Sequence, residues 1–470
     1  MIFKELLQDF KITGLADDSR RVQEGYLFFC FPVKESLSFA KMALDQGARA
    51  IVAETEAPLE MKSKWIQVKN VKEARLEAAI LFYGNPFEQL KVHAITGTNG
   101  KTTSTFLMEA MLNAAGRKTA LIGTICNKIG NEIIPSFLTT PGLLDLFAFA
   151  RHALEAGCTD LVMEASSHAL DQGRVAGISF KTALFSNLTQ DHLDYHLTMD
   201  LYFEAKKTLF TKYLSKEGHA VINVDDAYGK ILFDSLDGNK MAVSRMKSKE
   251  AMIYPEGNVA QSERGMTLLV PAISNQPFET HLCGDFNVDN VLLVLGFAKA
   301  LQLPEMAIRK ALENVRVHGR FELVYNQNKK HVVVDYAHTP DALQRVLQTA
   351  RRLCQGKLAV VFGCGGDRDK TKRPLMGSIA TKNADVVWVT SDNPRTEKPE
   401  DIIQDILKGI SKKEDLYVIE NRAEAIQKAC VSMNENDWLV IAGKGHENYQ
   451  IIGQTKHHFD DSEEVQKAML

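Results

Sequence analysis

Short, wholly apolar runs alternate along this chain with stretches in which apolar residues recur at helical spacing. That is the pattern of a sheet covered by helices on both faces. Near the start, Tyr26–Cys30 and Ala50-Ile51-Val52 read as strands. Between them Ala40, Ala43 and Leu44 predict a helix closed by Gly47. A second helix over 72–83 stops at Gly84-Asn85-Pro86, a break that also serves as a linker. From residue 89 the alternation becomes regular, with strands expected at 92–95, 119–122, 160–163, 182–185 and 220–224. Beyond Gly229 the pattern loosens, and 257–276 reads as hairpins or loops. An apolar helix then opens within Gly284-Asp285-Phe286-Asn287-Val288-Asp289-Asn290, runs through Leu301 and is stopped by Pro304. Four more strands follow at 332–334, 358–362, 386–389 and 438–441. The expected fold is α/β in three domains. A small α/β domain covers 1–88, a central domain with a mostly parallel sheet covers 89–316, and a Rossmann-like domain covers 317–470.

A length of 470 residues suits that division, because single cores stop growing well below it. With 45% hydrophobic and 24% charged residues and a mean hydropathy of −0.16, the composition is that of a soluble globular protein. A net charge of −3 gives no general attraction to nucleic acid or an anionic membrane, so any anionic ligand must be held by local groups. Met1 to Phe10 lacks the apolar core of a signal peptide, and no window approaches ~18 apolar residues. The seven cysteines are scattered and form no CxxC pair, which fits reduced thiols in a cytoplasmic protein.

Candidate chemistry concentrates at strand ends. The apolar run Val92-His93-Ala94-Ile95 enters Thr96-Gly97-Thr98-Asn99-Gly100-Lys101-Thr102-Thr103, after which Phe106, Leu107, Ala110, Met111 and Ala114 take up helical spacing. A Gly-rich turn between strand and helix presents backbone N–H groups and a helix N-terminus to phosphate oxygens. Lys101 would reach the β- and γ-phosphates, and Thr102 would ligate Mg²⁺. Ile95 stands where GxxxxGK[ST] has its first glycine, so the match is to a shorter G-T-N-G-K-T-T form. The competing reading is a Gly-rich turn with an exposed lysine.

Glu164 and the cluster Asp191-His192-Leu193-Asp194-Tyr195-His196 each end a strand of the same unit. The cluster alone would suggest zinc. Beside a phosphate loop, oxygen-rich ligation of Mg²⁺ by Glu164, with His192 as an occasional nitrogen ligand, fits better. In the third unit, four strands end in Asp335-Tyr336-Ala337-His338, Gly363-Cys364-Gly365-Gly366-Asp367-Arg368, Asp392-Asn393-Pro394-Arg395 and Gly443-Lys444-Gly445-His446-Glu447. Four polar clusters on one sheet edge make a binding face. The glycines lack GxGxxG spacing, which argues against a nicotinamide cofactor. Asp17-Asp18-Ser19-Arg20-Arg21 reads as a solvated turn or a diphosphate site. A second set of anion-binding loops in a separate unit favours activation of a carboxylate over a motor ATPase.

Taken together, residues 97–103, 164–168, 187–196, 335–341, 363–368 and 443–447 resemble a Mur ligase, in all three domains and in order. Within that family the resemblance is to the members that add the third amino acid of the peptidoglycan peptide. It implies an ATP-dependent, ADP-forming ligase that phosphorylates the γ-carboxylate of D-Glu in UDP-MurNAc-L-Ala-D-Glu, after which an amine displaces phosphate. Gly97 to Thr103, Asn287, Asn290, Arg320 and Asp335 would bind ATP. Lys101, Glu164, His192, Lys206 and Arg320 would be catalytic. Thr102, Glu164, His192 and Lys206, the last as a carbamate, would ligate Mg²⁺. Asp17 and Ser19 would lie at the uridine nucleotide, with Thr139, Thr140, Ser166, Gln172 and Arg174 on the muramyl dipeptide. Residues 31–36 depart from the family's Gly-His-type loop at the uridine site.

Arg368, Asp392, Asn393, Pro394, Arg395, Gly443 and Glu447 would bind the incoming amino acid. Meso-diaminopimelate is lysine with one further carboxylate, and Arg395 supplies the planar cationic fork that such a group needs. The resemblance also implies a cytoplasmic monomer, with no nucleic acid or membrane partner. A lysine-adding ligase, a murein-peptide recycling ligase or a folylpolyglutamate synthase would share the architecture. A nucleotide-gated binding protein would share only the phosphate loop.

Overall fold

The computed structural model describes residues 10–411 and 414–469; the stretch expected to lack a signal core, Met1 to Phe10, lies outside these apart from Phe10. The chain is α/β, as its pattern predicts, and builds three mainly parallel sheets. The first has four parallel strands, Gly14–Ala16, Tyr26–Cys30, Ala50–Ala53 and Trp65–Gln67, side by side in chain order. The predicted helices form as Ser36–Asp45 and Val71–Tyr83. The latter is capped by the Asn70 side chain and closed by Gly84 at φ 69°.

One face of this sheet, through Ala16, Phe28, Cys30 and Ile51, packs on Ala40 and Ala43. Its other face, through Leu15, Leu27, Phe29 and Val52, belongs to a core that continues without a break into Phe87, Val92, Phe147, Met163 and Phe185 of the next unit.

The second sheet has nine strands, in the order Ala251–Ile253, Lys240–Val243, Leu214–Asn223, Phe180–Phe185, Lys91–Thr96, Asp160–Glu164, Thr119–Ile122, Cys126–Ile129 and Glu132–Pro135. Its first seven are parallel, and the last two form an antiparallel hairpin on the edge. Two corrections to the sequence reading arise here. The loosened stretch beyond Gly229 supplies two further parallel strands, and the edge hairpin was not foreseen, because its residues are largely exposed or half-exposed. The hairpins expected over 257–276 form the three-stranded antiparallel sheet Glu256–Ser262, Gly265–Leu269 and Phe278–Thr280.

The third sheet runs Glu322–Gln327, Lys330–Asp335, Trp438–Ala442, Leu358–Phe362, Val386–Val389, Leu416–Val418, antiparallel only at its first strand. Asp335 and Phe362 both pair with Ala442, and Phe362 pairs with Val389, so the four polar clusters begin level with one another. This unit has a core on each face of the sheet, around Val333, Val360 and Met376 on one, where Cys283 and Phe286 of the second unit join it, and around Val361, Ile426 and Leu439 on the other. All seven cysteines are free. Among the described residues no helix is long and apolar enough to cross a membrane.

Candidate functional site

The phosphate-loop strand Lys91–Thr96 lies in the middle of the nine-stranded sheet, with Glu164 in register beside Ile95. Gly100 at φ 89° turns the chain into the helix Lys101–Ala114. A Cβ there would lie 2.2 Å from Asn290 Oδ1, so the loop needs a residue that tolerates both positive φ and this approach. Thr98 N and Asn99 N donate to the main-chain and side-chain oxygens of Asn187 at 2.9 and 3.0 Å, and Ser186 Oγ donates to Asn99 O at 2.6 Å.

Two lysines converge on this loop from opposite directions. Lys101 Nζ donates to Gly97 O and Thr98 O at 3.0 and 2.8 Å, and Lys206 Nζ donates to the same Gly97 O at 2.9 Å. Lys206 is fully buried in its helix, Met199–Thr208, with Nζ 4.5 Å from the Tyr202 ring centroid. Burial lowers the pKa of both ammoniums, and the positive charge of Lys101 adds to the effect on Lys206, which falls well below its ordinary value. Lys206 is therefore a buried side chain bonded to the phosphate loop, not a surface helix lysine.

Glu164 accepts from Thr124 N and Thr124 Oγ1 at 2.8 and 3.0 Å, and Thr124 Oγ1 lies 3.0 Å from Thr139 Oγ1. Thr140 Oγ1 donates to Glu164 O and accepts from Ser166 N, while Arg174 donates to both Thr140 O and Gln172 Oε1. Thr139, Thr140, Ser166, Gln172 and Arg174 thus form one polar network around the end of the Glu164 strand. The sequence reading missed Thr124, although a polar residue just past a strand end is the same signal that marked the others.

His192, at φ 53°, sets its ring 4.8 Å from His168, and Tyr202 OH lies 3.2 Å from Thr98 Oγ1. Among the described residues no three His, Cys, Asp or Glu side chains converge as a metal cage. The donors beside the loop, Thr102 and Glu164, offer oxygen, as a hard cation bridging phosphate oxygens requires.

These elements wall a cavity of about 230 Å³ that also takes in Asn290, Arg320, Asp335 and His338. The third unit closes it by direct bonds. Arg320 Nη2 donates to Thr102 Oγ1 at 3.2 Å, and Asn99 Nδ2 donates to Asp341 Oδ2 at 3.2 Å. Asp335 accepts from Phe321 N and Ala337 N, which bends the chain around the cavity mouth. Asn287 stands one step behind. It is buried, and its amide is engaged by Cys283 O and Asn290.

The residues assigned to the amino acid gather on the same sheet edge. Arg395 Nη1 donates to Gly366 O at 2.7 Å and crosses directly above Gly365, where an added Cβ would lie 2.8 Å from that nitrogen and 3.8 Å from Arg368 Cγ. Two guanidinium-bearing side chains therefore share one glycine. Asn393 donates to Glu447 Oε2 at 2.7 Å, and the fully buried Lys444 bridges Asn393 Oδ1 and Glu447 Oε2 at 3.2 and 3.1 Å. Glu447, assigned above to the incoming amino acid, is thus already paired with a lysine of its own motif. Asp392 is buried as well, and among the described residues its side chain accepts one hydrogen bond, from Asn393 N.

The first unit contributes a separate cavity of about 360 Å³, lined by Asp17, Arg21, Tyr26, Tyr83 and Asp145. Asp17 pairs with Arg75 at 2.6 Å, and Arg75 covers the Phe31 ring at 4.9 Å, which draws the divergent 31–36 loop toward this cavity. Ser19 does not line it. Its hydroxyl is buried against Met42 Sδ, so the structure separates the two residues that were assigned together.

The family models agree with this layout. Residues 95–298 match the Mur ligase middle domain, and residues 319–445 match the Mur ligase glutamate ligase domain. The UDP-N-acetylmuramoyl-L-alanyl-D-glutamate–2,6-diaminopimelate ligase of Geobacter metallireducens is 44% identical over 97% of this chain and 94% of its own length. The chain belongs to the Mur ligase family. The ligase of the same description from Aquifex aeolicus is 42% identical over 98% of this Mur ligase and 94% of its own length. A solved structure with that description superposes with a TM-score of 0.67 at 35% identity, covering 97% of this chain and 94% of the other. At 18% identity, the ADP complex of the Thermotoga maritima MurF ligase shares the fold with a TM-score of 0.65, covering 98% of each chain.

Two histidines of this Mur ligase carry a pH consequence. Burial pushes His192 down to about 4 and His446 down to about 3, from an ordinary value of 6.5. Below pH 6.5 the unfolded chain binds protons there that the folded chain refuses, so stability falls as pH drops from 6.5 toward those values and is insensitive to these groups above it. The urea midpoint should therefore be lower at about pH 5 than at about pH 7.5, and His446→Gln should narrow the difference. An unchanged difference in that variant would mean that other groups set the acid limit.

Proposed function

We propose that this Mur ligase joins meso-diaminopimelate to the D-Glu γ-carboxylate of UDP-MurNAc-L-Ala-D-Glu, converting ATP to ADP and phosphate in the cytoplasmic synthesis of peptidoglycan precursor. The observation that carries the amino-acid assignment is the pair of arginines, Arg368 and Arg395, sharing Gly365, with Arg395 on the same loop as the buried Asp392. A ligand with an ammonium group and a distal carboxylate satisfies both signs of charge. L-Lysine would leave a guanidinium without its partner.

In this reading the nucleotide occupies the cavity between the second and third units, and its phosphates lie on the Gly97–Thr103 backbone, Lys101 and Arg320. The γ-carboxylate of the dipeptide, steered by Thr139, Thr140, Ser166, Gln172 and Arg174, attacks the γ-phosphorus, and ADP leaves. The amine of diaminopimelate then attacks the acyl-phosphate carbonyl, and phosphate leaves as the amide forms. Thr102, Glu164, His192 and carbamylated Lys206 would hold Mg²⁺, which neutralises phosphate charge. Asp17 and the cavity around it serve the uridine nucleotide.

The test is ADP release by purified protein with ATP, Mg²⁺ and the nucleotide dipeptide, in parallel with meso-diaminopimelate, L-lysine or no amine. Release with diaminopimelate alone is expected. Equal release with lysine would keep the ligase and remove the specificity argument, and amine-independent release would overturn the ligase reading.

A further inference from the structure

Behind the proposed amino-acid site lies an ion pair that the reaction scheme does not use. Arg422 and Asp461 are both fully buried, on the helices Arg422–Val431 and Asp461–Met469. Arg422 Nε donates to Asp461 Oδ1 at 2.7 Å and its Nη2 to Asp461 Oδ2 at 2.8 Å, the parallel two-bond geometry of a guanidinium on a carboxylate. The same Nη2 donates to Ala442 O at 3.0 Å, on the residue before Gly443. Arg422 Nη1 is buried with no hydrogen-bond partner among the described residues.

Two residues earlier, Glu420 O accepts from Thr390 Oγ1 and from Ser391 N, both at 3.1 Å, just ahead of Asp392. The turn 420–422 therefore grips both loops from behind, one at Ser391 and the other at Ala442. Those loops meet closely, since a Cβ on Gly443 would lie 2.6 Å from Asp392 Oδ2.

A fully buried ion pair seldom adds stability over an apolar pair of the same size, because desolvation offsets the attraction. What such a pair can supply instead is fixed geometry. Arg422 carries its charge toward Asp392 and favours its ionised form.

We propose that Arg422 and Asp461 are a buried positioning pair that fixes the strand ends Ser391–Asp392 and Ala442–Gly443 around the ammonium group of the incoming amino acid. The inference rests on the amino-acid reading above. Neither residue touches the substrate; they act through Asp392 and the Gly443 carbonyl.

Three variants separate positioning from simple stability. Arg422→Lys keeps the charge and loses the fork. Arg422→Met leaves a buried carboxylate alone. Arg422→Met/Asp461→Leu replaces the pair by apolar side chains and removes that penalty. The readouts are KM for meso-diaminopimelate, KM for ATP, kcat and the thermal midpoint. We expect the double variant to regain most of the midpoint lost by Arg422→Met, while its KM for diaminopimelate stays raised by about tenfold or more and its KM for ATP stays within about twofold. Arg422→Lys should show the same split, and it carries the test if the double variant does not fold. An unchanged KM for diaminopimelate, or both KM values rising together, would overturn the proposal and leave the pair a brace for the last helix. Wild-type protein without diaminopimelate-dependent ADP release would instead overturn the amino-acid reading, and the proposal with it.

Discussion

Arg395→Ala will cut kcat/KM for meso-diaminopimelate by about thirtyfold or more and leave nucleotide binding at the phosphate loop intact. The guanidinium is held at φ 52° of its own backbone and by the bond to Gly366 O, so it is placed before any ligand arrives. Its backbone is fixed on both sides, with Arg395 N donating to Ile451 O and Arg395 O accepting from Gly453 N. Losing one partner of a desolvated charge pair costs about 2–5 kcal/mol, on the order of thirty- to several-thousandfold in kcat/KM. Arg395→Lys should recover only part of this, since an ammonium is a point charge and cannot make two parallel bonds. The check is kcat/KM for diaminopimelate beside the Kd for an ATP analogue. A variant that still discriminates diaminopimelate from lysine as the wild type does would move the distal carboxylate to Arg368.

Lys206→Ala carries the second large effect. A buried amine beside Lys101, its pKa driven well down by burial, gives up its proton more readily than an ordinary lysine, as addition of carbon dioxide requires. The resulting carbamate would be an anion with oxygen donors where the free amine has none, set beside the Lys101 ammonium at Gly97 O. A loss of about a thousandfold in kcat is expected for the alanine variant, the scale of removing a preorganised charged group from a phosphoryl-transfer site. Short carboxylic acids added to the medium should restore part of it by occupying the space left. Intact-protein mass spectrometry of the wild type under bicarbonate should show one added carbon dioxide, absent from Lys206→Ala. Full activity in the alanine variant would sink this role.

The central features of the site were legible in the sequence for a physical reason. A phosphate loop must read as strand, glycine turn and helix, and polar residues at the ends of apolar runs have nowhere to go but the ligand edge of the sheet. What could not be read depends on neighbours distant in the chain. Lys206 looks like any helix lysine until its helix is docked on the loop. The Glu447 carboxylate looks free until Lys444 turns inward to meet it. Arg422 and Asp461 lie 39 residues apart on two helices of ordinary polarity, and only their packing turns two surface-like residues into a buried pair. Ser19 differs from its neighbour Asp17, since adjacency along a turn does not carry two side chains into one cavity. The edge hairpin Cys126–Pro135 was hidden because exposed strands show no apolar run.

The core shared by the first sheet and the nine-stranded sheet sets a distance. A nucleotide seated near Asp17 and a carboxylate near Thr140 are separated by side chains packed as one solid, from Leu27 and Phe29 through Phe147 to Phe185. The third unit meets the phosphate loop through polar bonds, and of the second unit its apolar core takes in little more than Cys283 and Phe286. On the function proposed above, the first two units would serve as a rigid gauge for the length of the sugar–peptide substrate, and the third would bring the amine to it.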